Sequence, residues 1–221
     1  MVLSQKYQGQ LEAYNRVYQP AIQSISEMDT LRFAEINPID PQLLLDDADF
    51  MAVIYRQYLH IVHRWHRTYA PDLLFFGDVF NKEDWTEEMM RIAGEYVDAV
   101  ALQPSKEIVF DREHVEKVYR LAGKPIVISD HKVSYVEAGY DYIQGREVAT
   151  QQQAGQAYRE YLFACFDSPY VIGFNRCMFK SKFRPGGVLK QGLLNVAGEP
   201  YDTILSYVKE ANQQILQRSH Q

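Results

Sequence analysis

The sequence predicts an α/β fold built on a parallel sheet, and three observations predict it. From Asp72 onward, short apolar runs alternate with helical stretches, each bounded by a break, which is the pattern of consecutive βα units. The runs are apolar almost throughout rather than alternating with polar residues, so both faces of the sheet are expected to be covered. Four such units follow one another, half of an eight-stranded (β/α)8 barrel, with a helical region ahead of them. No linker or repeat divides the chain, so residues 1–221 read as a single domain.

In the leading region Leu11, Tyr14, Val17 and Tyr18 fall at helical intervals before Pro20, and Ile22 and Ile25 continue that face. A second helix is predicted over about 49–69, where Phe50, Val53, Ile54, Tyr58, Ile61 and Trp65 form an apolar stripe and Asp46, Asp47 and Asp49 offer caps and favourable charge at its start. The first strand is predicted at 73–78, ending on Asp78, with a helix near 83–94 that carries Trp85, Met89, Met90 and Ile92. The second is predicted at 97–102, followed by a helix that Asp111 caps and Gly123 closes. A third strand at 125–129 ends on Asp130, and a polar, tyrosine-rich loop leads to a helix over about 147–166. The fourth strand is predicted at 170–174, and the last helix at about 201–216.

Composition narrows the function classes. With 221 residues, 47% of them hydrophobic, the chain has material for one sizeable core, which at this size buries roughly 70% of the unfolded surface. The net charge of −6 and the absence of a dense Lys/Arg run argue against a nucleic-acid partner. The longest apolar runs, 73–76 and 97–102, fall far short of the roughly 20 residues that span a bilayer, so no membrane partner is expected. The first ten residues lack the apolar core of a secretory signal, which places the chain as written in the cytoplasm; secretion is the expectation if the true N-terminus is missing.

Metal and cofactor signatures are not read. Cys165 and Cys177 stand alone and are expected to be packing residues. His60, His63 and His66 recur every third residue among Arg64 and Arg67, a step that walks around the helix beside positive charge, so a solvated face is expected rather than a zinc site. The basic run Lys180-Ser181-Lys182-Phe183-Arg184 before Gly186-Gly187 carries charge suited to an anion but lacks the following helix of a phosphate cradle, and reads as a loop over a sheet end.

In parallel α/β barrels the active site assembles just past the strand carboxyl ends. Those positions hold Asp78, then Gln103-Pro104, then Asp130-His131, then Asn175-Arg176. Each is a group able to contact a polar ligand, which turns the reading from strand capping toward a site.

Taken in order, Tyr58-Leu59-His60-Ile61-Val62, the run from Tyr69 through Leu73-Leu74-Phe75-Phe76-Gly77-Asp78, Tyr96-Val97-Asp98-Ala99-Val100, Lys124-Pro125-Ile126-Val127-Ile128-Ser129-Asp130-His131, Pro169-Tyr170-Val171-Ile172-Gly173 and Gly192-Leu193-Leu194-Asn195 resemble the C-terminal half of TIM-barrel retaining glycoside hydrolases of the clan A type, most closely the β-agarase-like and β-galactosidase-like members. The resemblance runs from roughly residue 11 to 212. It implies a partial TIM barrel, hydrolysis of O-glycosyl bonds in a polysaccharide by double displacement, a carbohydrate partner and no cofactor.

The resemblance also implies roles and departures. Asp130 stands where the family carries a nucleophilic glutamate, one methylene longer, so its carboxylate is set back by about 1.5 Å, and a misplacement of about 1 Å can lower a rate on the order of a hundredfold. The family's Asn-Glu general acid has no counterpart, because 14–19 is similar to sequence lying beyond it; Glu35 is the alternative, though no asparagine precedes it. Asp78, Gln103, His131, Asn175 and Arg176 become candidate substrate contacts, with Gln103-Pro104 and Asn175-Arg176-Cys177 replacing the Asn, Tyr and Trp that relatives tend to carry. The implied function is therefore a glycoside hydrolase, truncated or weakly active, the alternative being a non-catalytic carbohydrate- or partner-binding relative. Four parallel strands cannot close, so a homodimer or a separate N-terminal half barrel is expected to cover the open edges.

Overall fold

Tyrosines and one buried carboxylate organise the first part of the chain. The computed structural model describes residues 6–7, 10–18, 22–24, 26–27, 41–82, 84–104, 107–136, 147–184 and 187–219, in two compact units, 1–61 and 62–221. In the first, α1 (Leu11–Tyr18) buries Tyr14 and Tyr18 with Ile22 and Leu43, the last from the start of α2 (Pro41–Tyr69). Because α2 begins at Pro41, eight residues earlier than expected, Asp46 is not a cap but lies within the helix and is buried. Lys6 pairs with it at 2.7 Å, and Tyr7, Tyr18 and Gln42 donate hydrogen bonds to it. Burial alone would push its carboxyl up, yet these donors hold it below the ordinary carboxylate value.

The apolar stripe of α2 corrects a second expectation. Phe50, Val53, Ile54, Tyr58, Ile61 and Trp65 are all exposed, whereas Tyr55 and Leu59 are the buried side chains of this stretch. His60 is exposed as expected, but His63 and His66 are half-buried against the Phe75 ring.

In the second unit β1 (Val79–Asn81), β2 (Val100–Gln103), β3 (Ile126–His131) and β6 (Val171–Arg176) form a four-stranded sheet in the order β1-β2-β3-β6, every pair parallel. The helices α3 (Glu87–Tyr96), α4 (Arg112–Ala122) and α5 (Gln151–Phe166) supply the crossovers, and α6 (Asp202–Arg218) follows β6. Their starts are written in short polar residues. Thr86, Asp111 and Thr150 each accept the N–H of the residue three positions on, satisfying donors that a helix start leaves open. Gly123, at φ 63°, ends α4 in the left-handed conformation that glycine adopts without strain. The polar stretch before α5 contributes β4 (Ser134–Tyr135) and β5 (Glu147–Val148), a parallel pair; β7 (Lys182–Arg184) and β8 (Gly187–Leu189) form an antiparallel hairpin after β6. Helices α5 and α6 share a core of Ala154, Ala157, Tyr158, Leu162, Ile204, Val208 and Ala211, which also takes in Tyr135. Each large apolar side chain so buried contributes about 1.5–3 kcal/mol.

The first strand lies later than its apolar run suggests. Leu73 and Leu74 remain 64% and 65% exposed, and Gly77 takes φ 64°, which interrupts the extended chain before β1 begins at Val79. What the run does supply is an anchor: the Phe75 N–H donates to the Asp98 carboxylate at 2.7 Å, and Arg67 pairs with the same group at 2.6 Å. No helix among the described residues is long and apolar enough to cross a membrane.

Candidate functional site

Because the four strands are parallel, their carboxyl ends gather at one end of the sheet, where Asn81, Gln103, Asp130-His131 and Asn175-Arg176 stand. Asp78 does not join them. It precedes β1 and so belongs with the amino end of its strand, and Asn81, the register partner of Gln103, holds the position expected of it. Glu35 lies outside the described residues.

The end of β3 is shaped by a bulge. Between Ile128 and His131 the pairing with β6 advances three residues on one strand and two on the other, and Asp130, at φ 58°, occupies the extra place in the left-handed region. Such a conformation is uncommon for a residue with a side chain and is best tolerated by Asp and Asn. The Asp130 N–H donates to the Asn175 side-chain oxygen at 2.8 Å, and the Cys177 N–H donates to the His131 carbonyl at 2.9 Å, so β6 clamps the bulge from both sides. Burial, then the adjacent Asp130 carboxylate, which also accepts a hydrogen bond from the thiol, push Cys177 up. Among the described residues no hydrogen bond or ion pair brings a second carboxylate to Asp130.

The extra residue shifts the alternation, so His131 is buried like Ile126 and Ile128 and packs against Tyr158 and Tyr161 of α5. It is fully buried, with its ring 4.3 Å from that of Tyr161 and 5.3 Å from that of Phe174. Neither ring nitrogen has a hydrogen-bond partner among the described residues. Burial, reinforced by the Arg176 charge, pushes its imidazole down to about 3, so it is neutral across the physiological range. Arg176 turns to the loop behind it: Nη1 donates to the Cys177 and Met178 carbonyls at 3.3 and 3.0 Å, while Nη2 has no partner among the described residues. Of the candidate contacts, then, Asp130 and Asn175 are brought together, Gln103 lies two strands from Asn175 on the same end, and His131 and Arg176 support the bulge and the loop from behind.

A cluster that the sequence reading missed sits beside the ends of β1 and β2. Lys82 pairs with Glu107 at 2.5 Å and with Asp111, which also caps α4. The Lys82 hydrogen bond holds the Asp111 carboxyl below its usual range, and burial with the Lys82 charge pushes His114 down. These groups and Gln103, Phe80 and Tyr161 line a cleft of about 20 Å³, room for a water molecule and not for a sugar ring. The only signal for it in the sequence is Lys82 following the strand that begins beyond Gly77. No group of His, Cys, Asp or Glu able to hold a metal ion occurs among the described residues.

Compared with solved structures, the chain overlays on glycoside hydrolases along nearly its whole length. An exo-beta-agarase matches with TM-score 0.77 and 23% identity over 97% of this chain and 29% of its own. An agarase matches with TM-score 0.75 and 19% identity over 98% of this chain and 31% of its own. Xylanase 10B from Thermotoga maritima matches with TM-score 0.51 and 18% identity over 73% of this chain and 53% of its own. The chain thus spans about a third of the length of these agarases, and the likeness is one of fold: a glycoside-hydrolase-like α/β architecture with a parallel sheet. No protein-family model and no curated protein matches the sequence.

Proposed function

We propose that this chain is a glycoside-hydrolase-like module for a β-linked galactan or similar polysaccharide, with Asp130 at the nucleophile position, weak or silent in turnover on its own and part of a barrel that a second chain or half completes. The observation that carries the reading is the carboxylate of Asp130 at the carboxyl end of a parallel strand, held beside Asn175 by the 2.8 Å bond to its own N–H. A retaining enzyme needs a second carboxyl about 5 Å away as acid. Glu35 is the candidate within this sequence; a partner supplies it otherwise. Sugars would meet Asn175, Gln103 and the aromatic side chains near the strand ends.

A second reading, a carbohydrate-binding relative without chemistry, is supported by the side chain itself: Asp130 is one methylene shorter than the glutamate that the resemblance implies, and it sits in a bulge at φ 58°. The two are separated by incubating the protein with an aryl β-galactoside and with agaro-oligosaccharides. Turnover that Asp130→Ala abolishes, with the fold intact by circular dichroism, supports the hydrolase. Oligosaccharide binding with no turnover supports the binder. Neither binding nor turnover overturns both.

A further inference from the structure

From Ser168 to Gly198 the chain contains no Asp or Glu, yet it carries Arg176, Lys180, Lys182, Arg184 and Lys190, a local charge of +5 in a protein whose net charge is −6. Lys190 is accounted for, buried and paired with Glu147 at 3.3 Å. Lys180 and Lys182 are exposed, and no ion pair among the described residues engages either. Beside them Phe179 and Phe183 are 69% and 72% exposed, an unusual outlay of aromatic surface on a short segment.

This surface is built rather than loose. The Phe179 carbonyl accepts from the N–H groups of Leu193 and Leu194 at 2.9 and 3.0 Å, and the Ser181 N–H donates to the Leu194 carbonyl at 2.8 Å. Buried Ser181 accepts from the Gly192 N–H at 3.1 Å, and the two segments come so close that a Cβ at position 192 would lie 2.2 Å from the Ser181 nitrogen. With Ser181 turned in, Lys180 and Lys182 are held outward on either side of it. Lys180, Ser181, Lys182, Phe183 and Val196 line an open cleft of about 300 Å³, the lower end of the range of ligand sites. Phe179 is four residues past Asn175, so at most about 14 Å of extended chain separates them.

We propose that this cleft is a subsite for an anionic sugar chain, with Lys180 and Lys182 pairing with its sulfate esters or carboxylates and Phe183 offering a flat apolar face to a sugar ring. The inference rests on the carbohydrate reading above and adds the charge of the ligand. Ammonium groups on flexible stems suit a spaced series of anions along a chain, and an aromatic face suits the apolar side of a pyranose. Sulfate ester and carboxylate share this chemistry, and the probes separate them.

The test titrates the full chain calorimetrically with three oligosaccharides of equal length: a sulfated galactan, an oligogalacturonate and a neutral agaro-oligosaccharide. At low salt one or both anionic probes are expected to bind at least about tenfold tighter than the neutral one, and the advantage is expected to vanish near 0.5 M salt, where the screening length is roughly 4 Å. The variant carrying Lys180→Gln and Lys182→Gln is expected to lose the preference while neutral binding stays within about twofold, and Phe183→Ala to weaken all three. Equal affinities for the three probes, or a preference that survives the double substitution, overturn the subsite and leave the carbohydrate reading standing. No binding of any sugar overturns both, and a single-stranded oligonucleotide bound as tightly as the anionic sugars assigns the surface to another class of ligand.

Discussion

At the scale of single residues the end of β3 sets two side chains to opposite tasks. Asp130 takes the strained place in the bulge and stays accessible, while the same irregularity sends His131 into an aromatic interior with both nitrogens unpartnered among the described residues. A buried donor without a partner costs about 1–3 kcal/mol. Its protonation adds a pH dependence whose sign is fixed: with the folded imidazole at about 3 and the ordinary value at 6.5, the unfolded chain takes up a proton between those limits and the fold does not, so stability drops as pH falls from 6.5 toward 3. The slope from this group approaches about 1.4 kcal/mol per pH unit. His131→Leu removes it, so the melting-temperature difference between variant and parent is expected to widen in the variant's favour between pH 7 and pH 4. Parallel melting curves across that range would mean that the imidazole has a partner the structure does not reveal.

At the scale of elements, close approach of backbones decides which helices pack. A Cβ on Gly94 of α3 would stand 2.1 Å from the Ala122 carbonyl oxygen at the end of α4, and one on Gly155 of α5 would stand 2.6 Å from Tyr207 of α6. The first obstacle is backbone and cannot swing aside. Gly94→Ala is therefore expected to lower stability by about 1–3 kcal/mol in urea unfolding, despite alanine's better helix propensity; a neutral or stabilising result would show that α3 can slide on α4. The register of β1 is an element-scale decision too, since Gly77 breaks the extended chain and hands the strand end from Asp78 to Asn81.

For the whole molecule, the sheet has β1 and β6 at its edges, and α2 displays Ile54, Tyr58, Ile61 and Trp65 to solvent. Exposed edges and apolar stripes of this kind are normally covered. We expect light scattering to give about twice the 25.7 kDa chain mass, and the paired substitutions Ile54→Glu and Tyr58→Glu to return it to the single-chain value. A single-chain mass for the parent protein would show that the α2 stripe and the sheet edges do not pair two copies of this chain.

The sequence by itself determined the βα alternation, the parallel sheet, the Asp111 and Gly123 ends of α4, and the gathering of Gln103, Asp130 and Asn175 at one end, because each of these follows from local periodicity or from the conformational preference of one residue. Only the tertiary structure decided where β1 starts, that the α2 stripe faces solvent, that Asp46 is buried in an ion-paired cluster and that His131 turns away from Asp130. Those outcomes depend on what lies opposite: a register partner on β2, a lysine and two tyrosines far away in the chain, and a bulge that exists only when β6 pairs with β3.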